Sequence, residues 1–220
     1  MNFFDWDFAL SILPDLLKAS LNTLLITFAG FAIAIVAGLL LAIARRSKHL
    51  WLSWPVAGLI EFIRSTPLLI QVYFLFYVFP NYGLSLTALQ AGILGIALHY
   101  ACYTAEVYRA GLDAVPRGQW EAVTALNMSP LSAYRQIILP QALRPILPAL
   151  GNYLVAMLKD TPVLSAITVV EIMQQAKNIG SESFRYLEPI TMVGIFFLLL
   201  SLALAWCVRR MEDRLEVSAR

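Results

Sequence analysis

Charge is scarce in this chain. Asp, Glu, Lys and Arg make up 14% of its 220 residues while 60% are hydrophobic, against about 25% charged in an ordinary soluble domain. That shortage excludes a free-standing soluble domain of this size. Cysteine is nearly missing. Cys102 and Cys207, the only two, fall in apolar stretches at different depths, so they read as apolar filler and not as a disulfide or metal pair. His49 and His99 are the only histidines and lack metal-ligand spacing. Eleven glycines are present, yet none sits in a Gly-x-x-x-x-Gly-Lys-Ser/Thr run, so the chain has no such cradle for nucleotide phosphate. No serine elbow is found either. Catalysis, a cofactor or a metal is therefore not expected. The net charge of +2 is too small and too scattered for nucleic acid, whose phosphates call for a basic surface.

What is there in quantity is membrane-length apolar sequence. A span takes roughly 20 mostly apolar residues. Leu21–Ala44, Leu84–Ala105 and Pro189–Val208 carry no Asp, Glu, Lys or Arg at all. Two further stretches are interrupted: Trp51–Phe79 by Glu61 and Arg64, and Ile137–Leu158 by Arg144. The expectation is an all-α integral membrane protein with five transmembrane helices. Lys and Arg gather in cytoplasmic loops, and here they cluster at Arg45, Arg46 and Lys48, around Arg109, Arg117, Arg135 and Arg144, and at Arg209, Arg210, Arg214 and Arg220. This pattern puts the C-terminus in the cytoplasm and the N-terminus outside. Asp5, Asp7 and Asp15 all precede the first cation, Lys18, so the first span reads as retained and not as a signal peptide.

The predicted organisation is an extracytoplasmic segment, 1–19, a membrane domain, 20–210, and a cytoplasmic tail, 211–220. Trp51 and Trp54 suit the inner headgroup level, and Tyr73, Phe74, Phe76, Tyr77 and Phe79 suit packing or an outer aromatic belt. Val163–Val170 is apolar but too short to cross, which suggests a half-buried helix or a re-entrant turn. Glu171 to Glu188 read as an outer polar connection.

A polar loop, 112–140, separates two of the apolar stretches. Pro116 suits the first position of a helix. Asn127 suits its left-handed end. Ser129 then caps a second helix that has Pro130 at its first position. Pro140 ends or kinks that helix, and Pro145 and Pro148 make the start of the next span irregular. The run Glu121-Ala122-Val123, three residues, Asn127, nine residues, then Ile137-x-Leu139-Pro140 resembles the "EAA" loop of ATP-binding-cassette importer permeases. Val123 stands where that motif has a second Ala, which would thicken a contact face. Asn127 stands where it has Gly.

The resemblance extends to Glu61–Gln71, Tyr103–Gly111 and Leu158–Ser165, which are similar to the polar-amino-acid branch of those permeases. Leu164–Val169 and Gly180–Pro189 are similar to its ectoine and hydroxyectoine members. The resemblance implies the type I importer (MetI-like) fold in a bacterial inner membrane. It also implies two separate ATPase subunits, a second copy or a homologous permease, an extracytoplasmic solute-binding protein and a lipid surround. Pro116–Asn127 would be the coupling helix. Glu121 would make the polar contact with the ATPase, and Gly118, Ala122 and Ala125 would let it approach. Asn127, Leu139 and Pro140 would shape the loop. Arg117 would be either a contact or an ordinary inner-surface cation.

Charges within spans form a second constellation, because such residues usually face a partner or a wet cavity. Glu61 with Arg64, and Glu106 with Arg109, have the spacing of same-face ion pairs. Either they neutralise each other, or Arg64, Thr66, Gln71 and Glu106 line a path for a zwitterionic solute. In the second case Arg64 holds the carboxylate and Glu106 the cationic end. Lys159, Asp160 and Thr161 break the fourth helix near its outer end, as a gate, a docking point or a solvated terminus. His99 reads as a hydrogen-bonded core residue. The rival functions are an ion-coupled secondary transporter subunit, an intramembrane enzyme and a scaffold.

Overall fold

Long apolar runs without internal breakers become long helices, and the chain's one run of that kind near its start does so. Among the residues described by the computed structural model, 4–217, the longest helix is α2, Leu13–Arg45, at 33 residues, or about 50 Å. It follows a short α1, Trp6–Ser11, capped by Asp5, whose side chain accepts from the Phe8 amide at 3.1 Å. That amide and the Arg185 guanidinium hold the Asp5 carboxyl below its ordinary value. Pro14 lies in the first turn of α2, where a missing N–H costs nothing. The predicted boundary at residue 19 therefore falls inside a helix. Residues 1–3 and 218–220, with Arg220, lie outside the described residues.

The second apolar stretch does not cross as one rod. α3, Leu50–Arg64, stops at Ser65-Thr66-Pro67, and α4, Leu68–Tyr73, continues at 106° to it through a π turn, Phe74–Val78, and a 3-10 turn to Tyr82. Pro67 disfavours helical geometry at Thr66, which sets the break. α5, Ala88–Asp113, is the central helix at 26 residues, opened by a Thr87–Gln90 capping box. It packs on α2, α4 and the later α8, and Ile26, Val72, Ile96, Met157 and Leu164 meet there in one core.

After the loop come α6, Arg117–Ala125, α7, Pro130–Ala133, a π turn, Tyr134–Ile138, and α8, Leu139–Asp160. Pro140 does not end its helix. The widened turn before it absorbs the missing N–H, and α8 then runs unbroken through Pro145 and Pro148. The irregularity expected at those two prolines lies instead at Tyr134–Ile138.

A buried 3-10 turn, Thr161–Ile167, leads to α9, Ile172–Ser183, and to α10, Leu187–Val217. The expected polar connection from Glu171 to Glu188 is thus a packed helix. Its Ile172, Ala176 and Ile179 share a core with Ala9, Leu16 and Phe196. Glu171 is fully buried and caps α9, accepting from the Met173 and Gln174 amides at 3.0 and 2.8 Å. Glu188 is buried against Arg185 at 2.7 Å.

Leu13–Arg45 and Leu187–Asp213 are each long and apolar enough to cross a membrane, and two bent pairs, α3 with the α4 segment and Pro130–Ile167 with α9, pass as broken spans. The 26 residues of α5 reach about 39 Å, longer than a bilayer's hydrocarbon core, but carry more polar side chains. Lipid tails provide no hydrophobic drive between helices, so contacts rest on close packing of small residues. At Gly111 of α5, an added Cβ would sit 2.2 Å from Ile146 Cγ1 and 3.1 Å from the Ala142 carbonyl of α8. We therefore expect Gly111→Val to cost about 1–3 kcal/mol through overpacking, read as a lower thermal midpoint in detergent.

Candidate functional site

The polar loop folds so that one side of α6 packs and the other faces out. Val123 is the buried residue of α6. Trp120 meets the Tyr134 ring edge-on at 5.6 Å, and Gln119 accepts from Gln141 at 3.2 Å. Arg117, Gly118, Glu121, Ala122 and Ala125 are all exposed, and at 100° per residue they share one helical face. The extra bulk of Val123 therefore points into the protein and not onto that face, contrary to the expectation. Space beside Gly118 is open to 4 Å.

Asn127 ends α6 in the left-handed region at φ 50°. The Met128 amide donates to Val123 O, and the Asn127 amide to Thr124 O, each at 3.0 Å, a Schellman ending. Pro116 lies one position earlier than expected, as the N-cap, and Ser129 caps α7 by accepting from the Ser132 amide at 3.3 Å. Leu139 and Pro140 are exposed where α8 begins. Two residues that the spacing did not single out stand beside this face: Leu126 and Leu131, 73% and 78% exposed.

The charges within the apolar region sort differently from their spacing. Among the described residues, Glu61 and Arg64 do not pair. Both are exposed, and Arg64 lies over the Tyr103 ring, 5.3 Å from its centre. Glu106 does pair, with Arg45 at 2.5 Å and Arg109 at 2.9 Å, and Arg109 and Arg46 both reach Asp113. Its carboxylate is committed to one tie within α5 and one across to α2. Thr66 and Gln71 are committed as well. The Gln71 amide donates to Ile63 O at 2.7 Å and to Thr66 O and Oγ1 at 3.0 and 2.8 Å, bridging the α3–α4 break. Its oxygen pairs with His99 Nδ1 at 3.0 Å. His99 is the hydrogen-bonded core residue its setting suggested.

Asp160 is the last residue of α8 and is half-buried. It accepts from the Tyr100 hydroxyl at 2.7 Å, opposite the middle of α5. Thr161 is fully buried and closes α8 by donating to Leu158 O at 2.8 Å, while Lys159 is exposed. From Asp160 a row of rings leads back to Arg64. Tyr100 meets Tyr153 at 6.1 Å between centres, Tyr153 meets Tyr103 at 5.6 Å, and Arg64 covers Tyr103. One cation and one anion thus end a short aromatic row that draws on α3, α5 and α8. Sequence reasoning missed its three tyrosines. Their only signal was Tyr100 and Tyr103 three apart in one apolar stretch and a lone Tyr153 in another.

Comparison with known proteins is consistent across the chain. Residues 34–217 match the family described as "Binding-protein-dependent transport system inner membrane component". A probable amino-acid ABC transporter permease of Sinorhizobium fredii is 45% identical over 219 residues, covering 96% of this chain and 95% of the relative. The glutamine transport system permease GlnP of Escherichia coli is 35% identical over 217 residues, covering 97% and 99%. A crystal structure of an amino acid ABC transporter with histidines superposes with a TM-score of 0.92 at 32% identity, covering 96% of this chain and 99% of that one. The inward-facing MetNI methionine transporter shares the fold, with a TM-score of 0.75 at 22% identity, covering 93% and 98%.

Proposed function

The chain belongs to the binding-protein-dependent transport system inner membrane components, the permease subunits of ATP-binding-cassette importers, and from that premise we propose that it forms the transmembrane path for a zwitterionic amino acid or an ectoine-type solute. Substrate passes inward without chemical change, and ATP is hydrolysed by separate subunits. The proposed arrangement has the N-terminus outside, the α6 end in the cytoplasm, and a second permease copy or homologue facing the Arg64 side. An extracytoplasmic binding protein delivers the solute.

The row from Arg64 through Tyr103, Tyr153 and Tyr100 to Asp160 carries the solute part of this reading. An exposed arginine at membrane depth is costly unless it faces water or a partner. A guanidinium and a carboxylate joined by tyrosine faces match an α-carboxylate and an α-ammonium or amidinium group. In this scheme Asp160 takes the role the spacing had suggested for Glu106, and Thr66 and Gln71 hold the bend beside the path. The exposed face of α6, with Arg117, Gly118, Glu121, Ala122 and Ala125, supports coupling to an ATPase. That face is polar and small, and the protein's own packing leaves it uncovered.

The test is accumulation in proteoliposomes by the permease co-expressed with its ATPase and binding protein. The panel is radiolabelled arginine, histidine, glutamine, glutamate, cystine and ectoine. We expect one or more to accumulate with ATP inside the cytoplasm-equivalent compartment, and accumulation to survive an uncoupler. Uptake that continues without ATP and stops with the uncoupler would instead mark an ion-coupled transporter. No flux of any panel member would leave a scaffold.

A further inference from the structure

We propose that α2 and α5 are locked into one lever, so that displacement of α6 moves both helices together and is absorbed at the two helix breaks. This rests on the coupling role proposed for α6 and adds the parts that carry the motion onward. Side chains such as Ile26 and Ile96 pack between these two helices, and at Gly38 the backbones also come close, with Thr104 Oγ1 between them. A Cβ at Gly38 would lie 2.8 Å from the Ala101 carbonyl and 3.1 Å from the Ala105 amide. Thr104 Oγ1 donates across to the Ala34 carbonyl at 3.0 Å, and Tyr108 Oη to the Ile35 carbonyl at 3.1 Å. Hydrogen bonds from a side chain into a neighbouring helix's backbone add a directional tie to the close packing of small residues.

The ion pairs complete the tie at the α6 end. Arg45 and Arg46 close α2, and they bind Glu106 and Asp113 of α5. Asp113 ends α5 just before α6 begins at Arg117. A push on α6 therefore reaches α5 within one turn, and the clamp passes it to α2. Elsewhere the bundle is built to bend, at the 106° break after Arg64 and the 45° break between Ile167 and Ile172. Tyr108 and Glu106 are positioning residues in this scheme. They touch neither solute nor nucleotide.

The experiment uses the whole assembly in proteoliposomes, with the amino acid that accumulates best in the panel above. In a Cys207→Ser background, Arg46→Cys with Asp113→Cys is bridged by a short bifunctional thiosulfonate that reductant removes. Both positions are exposed. The bridge replaces the Arg46–Asp113 tie that the double variant removes, so a rigid lever predicts uptake at or above that of the unbridged variant. Uptake that stops on bridging and returns with reductant means that the helices slide, and overturns the lock. Tyr108→Phe removes one hydroxyl and little else. It should lower solute moved per ATP by about threefold, one hydrogen bond's worth, with ATP hydrolysis maintained. An unchanged ratio overturns the lock. If the unbridged variant and its parent show no ATP-driven uptake, the transport reading itself fails, a result distinct from sliding.

Discussion

Glu121→Lys is expected to abolish solute uptake while the protein remains inserted and folded. Glu121 stands on the exposed face of α6, and none of the packing that holds the helix involves it. Trp120, Val123 and Gln119 do that work from the opposite side. A substitution at Glu121 therefore costs little fold stability, as solvent-facing changes usually do. Its effect should appear where that face meets the motor. Removing one partner of a desolvated charge pair at an interface costs about 2–5 kcal/mol, and reversing its sign adds repulsion. Uptake should fall by about a hundredfold or more, with the ATPase lost on affinity purification of the permease. Glu121→Gln keeps size and hydrogen bonding and should fall between. Protease protection of the membrane-embedded fragments checks insertion. Wild-type uptake by the lysine variant would remove α6 from the coupling role.

The elements of that loop were legible because capping is local. Asn127 at a helix end, Ser129 before Pro130 and a proline ahead of the first turn each act within a few residues, and the structure places all three within one position of expectation. Charges were less legible, because spacing describes only one helix. Glu106 and Arg109 pair as their spacing suggests, yet Glu106 also binds Arg45 of α2, and Asp113 binds the neighbouring Arg46, each about sixty residues away. Glu61 and Arg64 have the same spacing and stay apart; the guanidinium lies instead over the Tyr103 ring of α5. Glu171 looked like a loop residue and proved to be a buried cap. Its acceptor role needs the turn at Val169–Val170, which no periodicity announces. The tyrosine row joins α5 to α8, with Arg64 added from α3, so it was visible only in three dimensions.

Arg64→Ala and Asp160→Asn should each disable transport by a different route from Glu121→Lys: the complex assembles and hydrolyses ATP, but moves little solute. Both side chains lie on the aromatic row and neither belongs to the loop. Asp160→Asn keeps an oxygen to accept from the Tyr100 hydroxyl, so the local fold persists and only the charge is lost. A charge-assisted hydrogen bond contributes about 1.5–3 kcal/mol, which predicts a loss of about ten- to a hundredfold in uptake for either variant. Arg64→Lys separates the two contributions of the guanidinium. It retains charge but not the planar fork or the stacking on Tyr103, and should recover only part of the loss. The two ends also predict opposite selectivity. If Arg64 meets the carboxylate and Asp160 the cationic group, Arg64→Ala weakens competition by every carboxylate-bearing analogue, whereas Asp160→Asn spares analogues that lack the positive end. The result that would count against this path is equal, modest loss for both kinds of analogue in both variants. That pattern would mark Arg64 and Asp160 as ties between helices, as Glu106 already is.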